Sequence, residues 1–139
     1  MSKPLIICII DDDDVYQFTI TKAIQKNSIV KKILVFSDGK EGIDFLIDNV
    51  ANVEDIPDII FLDINMPIMD GWQFLEQYVK LKPRVGKKVT IYMISSSVDP
   101  IDVKRAKAMS EISDYLIKPI KSEQVKEIIE KIKKENGNF

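Results

Sequence analysis

Ile59-Ile60-Phe61-Leu62-Asp63-Ile64-Asn65-Met66-Pro67-Ile68-Met69-Asp70-Gly71-Trp72 is the stretch around which the chain is organised. Ile59–Leu62 is a short apolar run with no polar interruption, the pattern of a strand buried on both faces of a sheet. The run stops at Asp63, and Asn65, Pro67 and Asp70-Gly71 supply turn chemistry. Trp72, Leu75 and Val79 then take up helical spacing. Strand, polar loop, helix is the unit of an α/β fold.

The unit repeats on either side. Leu5–Ile10, Ile33–Phe36, Val89–Ile94 and Tyr115–Ile117 are apolar runs of the same kind. Ile43, Leu46, Ile47 and Val50 fall at i, i+3, i+4 and i+7, and so do Val125, Ile128, Ile129 and Ile132. Ile101, Arg105, Ala106 and Met109 form a weaker stripe, with Pro100 suited to a first helical position. Asp14–Asn27 is contested, because Phe18-Thr19-Ile20-Thr21 alternates like a strand and is rich in β-branched residues. A parallel sheet nevertheless requires a crossover of about a dozen residues there, so a helix is predicted. The sum is (βα)5, an open, doubly wound parallel sheet of five strands with helices on both faces. With no repeat and no linker-like stretch, residues 1–139 are expected to form one domain.

Composition narrows the chemistry. The 20 basic and 22 acidic side chains leave a net charge of -2, without the basic excess that nucleic acid demands. Leu5–Ile10 is too short to span a bilayer and lacks the flanks of a signal peptide. A single cysteine, Cys8, cannot form an internal disulfide and belongs among its isoleucine neighbours as core. A reducing cytoplasm is the expected setting. The chain has 0 histidines, which excludes a Ser-His-Asp triad, a histidine base and a histidine-ligated zinc.

In open parallel sheets, ligands bind where strand C-termini open into loops. The first strand ends in Asp11-Asp12-Asp13-Asp14, the third in Asp63, the fourth in Ser95-Ser96-Ser97 and the fifth in Lys118-Pro119. The second ends in Ser37-Asp38-Gly39, an ordinary helix cap. Singly, each has a bland reading: solvated turn, cap, loop serine or edge-of-core tyrosine at Tyr115. Together they bring carboxylates, a hydroxyl and an ammonium to one point. Two carboxylates at ~4 Å repel by about 4 kcal/mol at an effective dielectric near 20, so such a cluster calls for a cation. Oxygen donors without histidine or thiolate suit magnesium, and magnesium with a carboxylate, a hydroxyl and a lysine suits phosphoryl transfer.

Ile10-Asp11-Asp12, Phe61-Leu62-Asp63-Ile64-Asn65-Met66-Pro67 with Met69-Asp70-Gly71, Ser95, and Tyr115-Leu116-Ile117-Lys118-Pro119 resemble the motifs of response-regulator receiver domains. The likeness runs in order from about Leu5 to Ile132, in a family whose best-known stand-alone member is the chemotaxis regulator. It implies the flavodoxin-like strand order 2-1-3-4-5. It implies Asp63 as phosphoacceptor in a two-component system, Lys118 and Ser95 as its partners on the phosphoryl oxygens, and a cis peptide bond before Pro119. It implies Mg2+ held by Asp11, Asp12, Asp63 and the Asn65 carbonyl, with Asp12 the more direct of the acidic pair. Ser95 and Tyr115 would form the switch, and Asn65 and Ser97 would tune dephosphorylation.

The implied partners are a histidine kinase or histidine phosphotransfer protein and a downstream protein, with neither nucleic acid nor membrane. The donor must be another chain, since this one has no histidine. The chain would act as a monomer or as a phosphorylation-dependent dimer, and as a signalling protein rather than an enzyme. Few residues follow Lys134, so the expectation is a stand-alone receiver or a receiver excised from a larger protein. Glu111-Ile112 replaces the family's usual Gly-Ala, the four aspartates permit a one-residue shift of the acidic pair, and the segments 50–56 and 81–88 are long. Two rivals share the parts: a receiver-like module that is never phosphorylated, and a haloacid-dehalogenase-type phosphatase. The phosphatase carries its nucleophile on the first strand and wants a second aspartate where Asn65 stands.

Overall fold

Strands β1 (Leu5–Ile10), β2 (Val30–Phe36), β3 (Ile59–Asp63), β4 (Thr90–Ser95) and β5 (Ile112–Ile117) form one parallel sheet in the order β2-β1-β3-β4-β5. The computed structural model describes residues 4–135, so the ends of the expected 1–139 domain lie outside the described residues. Helices α1 (Asp14–Gln25), α2 (Gly39–Asn49), α3 (Gly71–Leu81), α4 (Pro100–Ala108) and α5 (Ser122–Glu135) connect and follow the strands. The sheet therefore separates two apolar layers. One joins Ile10, Leu62 and Met93 to α2 and α3, and the other joins Ile9, Phe61 and Ile94 to α1 and α5. Cys8 belongs to the first layer at 2% exposure.

Central and edge strands differ as their neighbours dictate. β1, β3 and β4 are buried at every position. β2 and β5 lie at the sheet edges and are half-exposed, which corrects the expectation of five strands buried on both faces. The correction also explains why the apolar runs marked only Ile33–Phe36 and Tyr115–Ile117: the polar residues Lys31, Lys32, Ser113 and Asp114 belong to edge strands.

α1 is a helix despite its strand-like run. Tyr16, Ile20, Ala23 and Ile24 fall on one buried face, and the Thr19 hydroxyl donates back to the Val15 carbonyl at 2.9 Å. In α5 all four expected residues are buried. Elsewhere the stripes shift. Ile47 on α2 and Val79 on α3 are exposed, and Gly42 and Tyr78 take the inward positions instead. Gly42 is required by proximity, because a Cβ there would stand 2.6 Å from the Ile10 Cδ1. On α4 the expected Ile101 is 77% exposed, and Ala106 is the residue that α4 buries. The two long segments contain single 3-10 turns, Val53–Asp55 and Lys82–Arg84. Before β5, Glu111 accepts from the Lys82 ammonium at 3.0 Å and Ile112 enters the core.

Candidate functional site

The C-terminal ends of β1, β3, β4 and β5 lie side by side, and the loops that leave them hold the residues singled out above. The four aspartates after β1 divide into different roles. Asp11 is 1% exposed, with its amide bonded to the Phe36 carbonyl at 3.0 Å and its Oδ1 accepting from the Asp13 amide at 2.9 Å. Asp13 is the N-cap of α1, accepting from the amides of Val15 at 3.0 Å and Tyr16 at 3.1 Å. Asp14 opens the helix and is exposed, where the positive end of the helix dipole favours an acid. Asp12 remains exposed, and carboxylate oxygens of Asp11, Asp12 and Asp63 lie within 4.8 Å of one another. The geometry thus favours Asp11-Asp12 as the acidic pair over the shifted register.

Asp63 is the last residue of β3 and is 5% exposed. Gly71 is the reason the chain can close behind it: a Cβ there would stand 2.6 Å from the Asp63 carbonyl oxygen. The Gly71 amide also donates to the Ile64 carbonyl at 2.9 Å, folding the nine-residue loop motif back on itself. Within that loop Ile68 takes a left-handed conformation, with φ 67°, and is 81% exposed.

Lys118 reaches the cluster from the end of β5. Its Nζ lies 2.8 Å from Asp11 Oδ2 and 3.7 Å from Asp63 Oδ2. Its amide donates to the Ser95 carbonyl at 2.8 Å, and the peptide bond to Pro119 is cis, as expected. The close approach to Asp11 is a buried ion pair, with the Lys118 ammonium as the partner of Asp11 Oδ2. Burial, and then the Asp11 carboxylate, push Asp63 up to about 7, against the opposing pull of Lys118. Asp11 is raised as well, first by burial, with Lys118 opposing.

This cluster fits a hard divalent cation. Its donors are all oxygen, and three carboxylates crowd within 4.8 Å beside the Lys118 ammonium. A cation among them would lower both carboxyl pKa values and offset their mutual repulsion.

Ser95 closes β4, next to β3, and is 2% exposed. Its Oγ accepts from the Ser97 amide at 3.2 Å, and the hydroxyl keeps its own proton to donate. The Tyr115 hydroxyl donates to the Ser97 carbonyl at 3.2 Å, with the ring half-buried against the α4 side of the core. Ser97 therefore joins the two expected switch residues through its backbone, a link invisible in the sequence because main-chain groups carry no residue signature. Its side chain is exposed, and Asn65 is exposed two residues beyond Asp63. Tyr16 is the site neighbour that sequence reasoning missed. Its ring centroid lies 4.4 Å from Lys118 Nζ, and its position on an apolar helix stripe looks like ordinary core.

The same fold is found in known proteins. Residues 7–130 match the model of the response regulator receiver domain. A "Probable methanogenesis regulatory protein FilR2" of Methanothrix harundinacea is 28% identical over 94% of this chain and 82% of its own length. Four other curated relatives are longer, and the chain spans only 15% to 33% of them. A two-component response regulator from Cytophaga hutchinsonii superposes with a TM-score of 0.83 at 28% identity, covering 94% of this chain and 98% of that one. A response regulator receiver protein from Dyadobacter fermentans gives 0.76 at 30% identity, covering 91% and 96%. The five-stranded parallel sheet and its acidic edge define a phosphorelay signalling class. The chain belongs to the response regulator receiver domain family. Neither the phosphatase nor the unphosphorylated module is favoured by these likenesses.

Proposed function

We propose that Asp63 accepts a phosphoryl group from a phosphohistidine on a separate histidine kinase or phosphotransfer protein. The observation that carries this reading is the convergence of three carboxylates within 4.8 Å, with the Lys118 ammonium among them. An Asp63 carboxylate oxygen attacks phosphorus, the P–N bond breaks, and the imidazole departs with a proton, leaving an acyl phosphate. Lys118 neutralises charge on one phosphoryl oxygen and Ser95 donates to another, so these fixed groups stabilise the charge that spreads during transfer. Asp11, Asp12, Asp63 and the Asn65 carbonyl would hold Mg2+, which supplies further neutralisation of the phosphoryl oxygens when bound.

Water then hydrolyses the acyl phosphate, and the exposed side chains of Asn65 and Ser97 tune its approach. Output is a shift between two arrangements of one fold, in which the link Ser95–Ser97–Tyr115 carries the change to α4 and β5. The reading is of a signalling receiver rather than an enzyme, one domain over 1–139, placed in the cytoplasm and acting on a downstream protein. No helix among the described residues is long and apolar enough to cross a membrane.

Incubation with radiolabelled acetyl phosphate and Mg2+ tests the assignment. Label that is stable to acid, labile to hydroxylamine and absent from Asp63→Ala supports it. Equal labelling of Asp63→Ala would overturn it.

A further inference from the structure

We propose that Tyr16 is a positioning residue for Lys118, its ring face holding the ammonium at the reaction site through a cation–π contact. The inference rests on the phosphoacceptor reading of Asp63 and adds a residue to it. Three observations carry it. The ring centroid lies 4.4 Å from Lys118 Nζ, well inside the range of about 6 Å over which such contacts act. Tyr16 is 8% exposed, and the Lys118 side chain 15%, so water screens the attraction weakly. The ring is also fixed in place: the Tyr16 amide donates to the Asp13 cap, and the side chain packs in the same apolar layer as Ile120, two residues past Lys118.

An aromatic ring does here what another carboxylate could not. Lys118 already touches Asp11, and a further acid would draw it from the phosphoryl oxygens and add repulsion to a crowded cluster. The ring attracts a cation through its quadrupole yet carries no formal charge. Lys118 can then leave Asp11 when that carboxylate turns to other partners, and still remain beside Asp63.

The Tyr16 hydroxyl has no hydrogen-bond partner among the described residues, so the ring face rather than the oxygen is the working part. Tyr16→Phe and Tyr16→Leu separate the two. Phosphorylation by acetyl phosphate at saturating Mg2+ should slow about fivefold to thirtyfold in Tyr16→Leu, which corresponds to ~1–2 kcal/mol at 1.36 kcal/mol per factor of ten. Tyr16→Phe should restore the wild-type rate. The Mg2+ concentration for half-saturation should stay within about twofold in both variants, because Tyr16 supplies no metal ligand.

A direct readout needs no variant. In the wild-type NMR spectrum the Lys118 Hε protons should be shifted upfield by the ring current, and Tyr16→Phe should retain that shift. Ordinary Hε shifts in the wild type, or a Tyr16→Leu rate equal to wild type, would overturn the positioning role while leaving Asp63 as acceptor. Failure of the wild type itself to take label would instead overturn the phosphoacceptor reading and this inference with it.

Discussion

Lys118 Nζ is closer to Asp11, at 2.8 Å, than to Asp63, at 3.7 Å. The ammonium is thus held mainly by the carboxylate that is not the expected acceptor. With three carboxylates within 4.8 Å of one another, the site is suited to take up further positive charge.

Magnesium should therefore stabilise the fold. At a concentration 100 times its Kd, mass action contributes about 2.7 kcal/mol. At roughly 3 °C per kcal/mol for a chain of this size, the melting temperature should rise by about 8 °C. Asp12→Ala should lose most of that gain while melting no lower than wild type without metal, because Asp12 is exposed and adds to the negative cluster. Thermal melts with and without Mg2+ check both, and a wild-type melt indifferent to millimolar Mg2+ contradicts the metal site.

The raised pKa of Asp63 gives a pH dependence of defined sign. Its folded value of about 7 exceeds the ordinary 3.8, so the folded state binds more protons across that interval. The associated stabilisation is complete below about pH 4 and is lost as pH rises through 7. Asp63→Asn removes the buried charge. Without metal, the variant should be more stable than wild type by a smaller margin at pH 5 than at pH 8, where the gain is about 1–3 kcal/mol. Melts at the two pH values decide it, and a gap larger at pH 5 has the wrong sign.

Gly71→Ala should damage stability and site together. The added methyl would meet the Asp63 carbonyl oxygen at 2.6 Å and the Ile64 Cα at 3.0 Å, both main-chain atoms that cannot rotate away. A loss of about 1–3 kcal/mol is expected, with a fall in Asp63 labelling beyond what the unfolded fraction explains. Urea titration and labelling of the same preparation give both numbers.

α4 should be the loosest of the helices. It buries Ala106, whereas α5 buries Val125, Ile128, Ile129 and Ile132. Its attachment depends on the Trp72 indole N–H donating to Asp102 at 3.1 Å and on Arg105 stacked 4.3 Å from the Trp72 ring centre. Asp102→Ala leaves that N–H without its acceptor, at a cost of about 1 kcal/mol. Hydrogen exchange should be faster over Pro100–Ala108 than over α5 in wild type, and faster still in the variant.

Some features were legible because they are local. Leu5–Ile10 and Ile59–Leu62 announce central strands by unbroken apolar character, and Val125–Ile132 announces a core helix by its spacing. The ends of β3, β4 and β5 pointed to Asp63, Ser95 and Lys118. The edge strands were only half visible, since Lys31, Lys32, Ser113 and Asp114 are polar for a reason that depends on which strands lie outermost. Ile47, Val79 and Ile101 misled for the opposite reason: apolar side chains at helical spacing face solvent where no neighbouring layer covers them.

Residue order thus settled the number of β/α units and which loops carry acids, hydroxyl and ammonium, because periodicity and polarity are properties of neighbouring residues. Packing alone assigned Asp11 to burial, Asp13 to a helix cap and Asp12 to the cluster, although all are the same amino acid. It also set Tyr16 over Lys118, a pairing across 102 positions of chain. Such contacts arise where separate elements meet, and nothing within either segment records the other.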